Sequence, residues 1–148
     1  MVAYSFKPRF SQPILDGVKL HTIRPEGRRR HARPGEELQL YTGMRTKHCR
    51  LVSREQCSGV LPVSIDICDE QIIVSDGYPW PSPFVGHSIG DGWRVSGPCF
   101  SGAELLDPFA RRDGFSGWDE MRAFWIEEHG EPEEGDVFIG KLIGWWPK

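Results

Sequence analysis

Apolar side chains recur at every second position over several short stretches of this chain, the period of a half-buried strand. Residues 2–6 open with such a stretch. Residues 19–24, 37–41, 48–53 and 60–68 follow, the last with Val63, Ile65 and Ile67 on one face. Asp69 and Glu70 read as a hairpin turn into a strand over 71–74, and residues 137–146 read as the final strand. The helical period is rarer. Ser11 is placed to cap a short helix ending at Asp16, with Pro13 tolerated in its first turn and Gly17 as its stop. Ser101 and Glu104 have capping-box spacing for a second helix, which Pro108 ends or restarts. Ser116 is placed to cap a third, where Trp118, Met121, Phe124 and Trp125 make one apolar stripe that Gly130 closes.

Residues 75–100 break the pattern. They carry Gly77, Gly86, Gly90, Gly92 and Gly97 together with Pro79, Pro81, Pro83 and Pro98, and read as a long loop inserted in the domain. The same stretch holds Tyr78, Trp80, Phe84 and Trp93, more aromatic side chains than a disordered linker would carry. Either they plug one end of the fold, or they form a lid whose faces, Trp80 and Trp93 above all, stack on a base.

Many short strands with a few helices fit an α+β domain such as a small mixed or antiparallel barrel of about five to seven strands with flanking helices, a pattern that other small α+β folds share. At 148 residues the chain is expected to be one domain, 1–148, with the insertion at 75–100. No apolar run approaches the roughly eighteen residues that span a bilayer, and the first residues lack the apolar stretch of a signal peptide. The expectation is a cytoplasmic protein without a membrane partner. Cys49, Cys57, Cys68 and Cys99 form no close pair, so free thiols are expected and neither a metal nor another cofactor is implied.

Charge changes the picture more than composition does. The net charge of −3 hides 12 Lys and Arg against 5 Asp and Glu in residues 1–56, and 6 against 16 in residues 57–148. The basic half concentrates Arg28, Arg29, Arg30, Arg33, Arg45 and Lys47, a pattern suited to a phosphate-bearing partner such as RNA. Neutralisation of one half by the other across the fold is the alternative.

The candidate chemistry lies in Gly17-Val18-Lys19-Leu20-His21-Thr22-Ile23-Arg24. In a regular strand Lys19, His21 and Ile23 face one way and Leu20, Thr22 and Arg24 the other. Lys19 and Thr22 meet only if the chain bends between them, as Gly17 allows just beforehand. Walker loops and HExxH are absent.

This block, with Phe10, Ile14-Leu15-Asp16-Gly17 and Pro34-Gly35-Glu36, resembles the ASCH family of small PUA-like β-barrels. The stretch from Ala110 to Phe115 and the closing residues 138–145 resemble its later blocks. The likeness covers roughly the first fifty and last forty residues. It implies a site for a modified nucleoside or RNA. Among ASCH proteins, the bacterial N4-acetylcytidine amidohydrolases are understood to use a Lys, a Thr and a Glu, which fall here on Lys19, Thr22 and Asp113. The departure is Asp for Glu, one methylene shorter.

On that resemblance Thr22 is the nucleophile, Lys19 its base, and Asp113 the carboxylate that orients the lysine or carries a proton. Arg24 would hold the oxyanion, and His21 would face the substrate. Arg28, Arg29, Arg30, Arg33 and Arg45 would contact phosphates, with Trp80 and Trp93 stacking on bases. A non-catalytic RNA-binding module and a ribonuclease are the alternatives. The plainer readings are a Lys19–Asp113 ion pair and an Arg24 paired with Glu36 or Glu37.

Overall fold

The computed structural model describes residues 1–75, 84–90 and 93–146; for 84–90, 93, 94 and 96 it describes the backbone. Among the described residues there are eight strands and three α-helices, an α+β arrangement with a sheet-dominated core. Strand β1 (Val2–Phe6) turns Tyr4 and Phe6 inward and runs parallel to β3 (Glu37–Thr42), whose Leu38 and Leu40 are buried. Between them lie a 3-10 turn (Pro8–Phe10), helix α1 (Ser11–Leu15) and strand β2 (His21–Arg24).

Strand β4 (Arg50–Asp66) organises the sheet. Its first part pairs with β3 and its second with β8 (Phe138–Trp145) and β5 (Gln71–Val74). Two separate strands were expected here. The segment between them stays extended because Ser53, Glu55 and Cys57 continue the inward alternation, and the ladder to β8 is irregular only between Cys57 and Gly59.

The stretch expected as a loop also holds strands. β6 (Phe84–Gly90) and β7 (Trp93–Ser101) form an antiparallel hairpin, and β7 pairs with β5. Their glycines and prolines hide the alternation. β7 is buried on both faces: Phe100 joins the main core, and Val95 and Cys99 form a small separate cluster with Ile73.

Helix α2 (Ala103–Arg112) runs through Pro108 in its interior, whose ring nitrogen cannot donate to the carbonyl of Glu104 four residues back. Helix α3 (Trp118–His129) buries Trp118, Met121 and Trp125. Neither expected serine cap is used. Asp107 Oδ1, on α2, instead accepts the Trp118 amide at 2.8 Å, so one helix caps the next.

β8 pairs β2 on one side and β4 on the other. Among the described residues no ladder joins β1 to β2, so the sheet is not closed into a barrel by its backbone. No helix among the described residues is long and apolar enough to cross a membrane.

Candidate functional site

The gap between β1 and β2 is where the candidate residues gather. Helix α1 ends at Gly17, whose φ of 72° is costly for any residue with a Cβ. The chain then folds back, and the amides of Val18 and Lys19 both donate to the Pro13 carbonyl at 3.0 Å. Leu20 N–H donates to the Arg112 carbonyl at 2.7 Å, which ties the segment to the end of α2. Regular pairing begins only at His21. Lys19 is therefore not part of the strand, as it was expected to be, and strand alternation does not separate it from Thr22. Both side chains line one cavity, as does Asp113.

Lys19 is 2% exposed. Its Nζ donates to the His21 carbonyl at 2.9 Å and to the main-chain oxygen of Asp113, and lies 3.5 Å from Asp113 Oδ1. The Phe10 ring centroid is 4.7 Å away. Burial lowers the pKa of Lys19 from 10.5 to about 8, against the pull of Asp113 and with the help of Arg24 and Arg9. The neighbouring Gly114, with φ of 97°, leaves space for this side chain: a Cβ there would stand 2.8 Å from Lys19 Cδ and 3.0 Å from Phe10 Cδ1.

Asp113 Oδ1 also contacts His21 Nδ1 at 3.0 Å. A carboxylate only accepts, so Nδ1 carries the proton in this contact. His21 is fully buried, its ring 4.9 Å from that of Phe109, and burial lowers its pKa. It does not face the Lys19 cavity as expected. It lines a separate cavity, with Leu20, Gly59 and Leu142.

Arg24 spans the gap. Its Nη2 donates to the Ser5 carbonyl on β1 at 2.6 Å, and its Nε reaches Thr22 Oγ1 at 3.3 Å. The guanidinium lies 4.8 Å from the Phe6 centroid, a cation–π contact. It does not pair with Glu36, whose carboxylate binds Arg30 through both oxygens and also the terminal amine of Met1. Those contacts hold the Glu36 carboxyl well below the usual range.

The cavity has a volume of about 290 Å³. Phe6, Phe10, Phe115 and Phe124 supply aromatic wall, and Glu128 stands at its α3 side. Phe124 and Glu128 were not expected at the site, and nothing in their spacing marks them for it. A second, larger groove of about 810 Å³ adjoins it, lined by Arg24, Arg28, Arg29, Arg30 and Arg45. Arg33 is not among its lining residues; its amide donates to Glu36. Trp80 lies outside the described residues, as does the side chain of Trp93. Among the described residues no cluster of His, Cys, Asp and Glu is arranged to hold a metal, and all four cysteines are free.

No family model, no curated protein and no solved structure matches this chain.

Proposed function

We propose that this is a cytoplasmic ASCH-type protein of PUA-like architecture that binds a nucleoside or RNA and hydrolyses the amide of an N-acylated nucleobase. The observation that carries this reading is a buried lysine with a depressed pKa sharing an aromatic-walled cavity with a threonine and an arginine. A neutral amine has two N–H groups and one lone pair. The two carbonyl contacts of Lys19 take both N–H groups, which leaves the lone pair free to accept a proton. Thr22 Oγ, directly or through one water, gives its proton to Lys19 and attacks the amide carbonyl. Arg24, already beside Thr22 Oγ1, stabilises the oxyanion. Lys19 then protonates the departing amine, and water with Lys19 as base clears the ester from Thr22. Asp113 holds Lys19 in place.

The arginine-lined groove favours a second reading, an RNA-binding module without chemistry. A time course with N4-acetylcytidine, read by chromatography for cytidine, separates the two. Turnover lost in Lys19→Ala and Thr22→Ala supports hydrolysis. A folded wild-type protein that leaves the substrate intact, yet binds RNA in a salt-sensitive way, supports the module.

A further inference from the structure

We infer that the guest of the Lys19 cavity carries a phosphate, held by Arg28, Arg29 and Arg45 in the adjoining groove while the base enters the cavity. This rests on the reading of the cavity as a base site. Arg24 and Pro25 line both spaces, so they are contiguous. The cavity, at about 290 Å³, lies at the lower end of the range for small-molecule sites. It suits a base better than a whole nucleotide, and Asp113 inside it would repel a phosphate.

The groove has the opposite character. No Asp or Glu is among its lining residues. Of the carboxylates flanking it, Glu26 lies 3.4 Å from Lys141 Nζ, and Glu36 is taken by Arg30, the Met1 amine and the Arg33 amide. His31 is also engaged, by the Tyr4 hydroxyl at 3.1 Å and the Pro25 carbonyl at 3.0 Å. Arg28, Arg29 and Arg45 have no carboxylate partner among the described residues. Guanidinium groups free of acids and grouped at a cavity mouth match the planar, multi-oxygen geometry of phosphate.

The test is calorimetric titration of the full chain with cytidine, cytidine 5′-monophosphate and a short single-stranded cytidine oligonucleotide, at low and high salt. A combined Arg28→Ala, Arg29→Ala, Arg45→Ala variant is compared, its fold checked by thermal melting. The monophosphate is expected to bind about tenfold tighter than cytidine, with the gain lost in the triple variant and reduced by salt. An oligonucleotide tighter than the monophosphate identifies a strand as the source of the phosphate, and one no tighter identifies a single nucleotide. Equal binding of cytidine and its monophosphate overturns this inference and leaves the base site standing. Oligonucleotide binding indifferent to Lys19→Ala overturns it too, since the groove would then act without the cavity. Failure of every ligand to bind overturns both.

Discussion

Asp113 grips the Lys19–His21 segment twice, with its main-chain oxygen on Lys19 Nζ and its carboxylate 3.0 Å from His21 Nδ1, although His21 and Asp113 stand 92 positions apart in the chain. The short side chain is sufficient because the closest contact to the lysine comes from the backbone. The aspartate sits at the C-terminal end of α2, where its amide is held by the carbonyls of Phe109 and Ala110 at 3.1 Å. The helix thus sets the position of its main chain, and the carboxylate reaches His21 from that point.

Asp113→Asn keeps the main-chain contact and an acceptor for His21 while removing the negative charge. The carboxylate raises the pKa of Lys19 against burial. The midpoint for amine acylation at Lys19, followed by peptide mass spectrometry against pH, should therefore fall below the value of about 8. A midpoint that stays or rises would show that the charge is not felt by the lysine.

Lys19 links stability to pH in a defined direction. Its folded-state pKa is depressed, so the unfolded chain binds more protons between about 8 and 10.5 and stability rises with pH across that window. Urea titrations of wild type and Lys19→Met should diverge in favour of wild type as pH rises from 7 to 10.5, by up to about 3 kcal/mol. A gap that is flat with pH counts against the depressed pKa.

Gly114→Ala forces a Cβ into the space of the Lys19 stem at a left-handed position. A loss of about 1–3 kcal/mol is expected from chemical denaturation. Turnover should fall further than stability accounts for, because Lys19 is displaced. Denaturation and kinetics unchanged from wild type would mean the segment adjusts freely.

Arg24→Lys keeps the charge and loses the planar fork that reaches Ser5 and Thr22 together. Urea unfolding should show about 1–3 kcal/mol of destabilisation, since a hydrogen bond to a charged group is removed. Full activity and stability in this variant would remove Arg24 from both roles.

Much of the framework was legible because its inward residues are apolar at a fixed period: Tyr4 and Phe6 in β1, Leu38 and Leu40 in β3, Trp118, Met121 and Trp125 in α3. The middle of β4 was not, since Ser53 and Glu55 are buried polar residues that bond each other at 2.6 Å and break the apolar signal. The β6–β7 hairpin was masked by its turn-forming composition. The helix starts were misassigned to serines because the actual cap of α3 comes from Asp107, eleven positions away. At the site, the glycine before Lys19 signalled the bend. The burial of His21 against Phe109, and the capture of Arg30 by Glu36, depend on where distant segments meet, and no local pattern encodes them. The expected cross-neutralisation of the halves occurs in part: Lys7 pairs with Glu128 and Arg9 with Glu120 on α3, while the groove arginines are not so paired among the described residues.

β1 and β2 are neighbours joined by a side chain and not by a ladder. A mouth framed by paired strands changes width only through a shift of register, which moves a whole row of side chains to the opposite face. The mouth here is set by what stands at position 24, so its aperture is graded in single substitutions while every strand keeps its partner. Such an opening is open to divergence: descendants of this chain are free to take larger or smaller guests without first rebuilding the sheet that holds them.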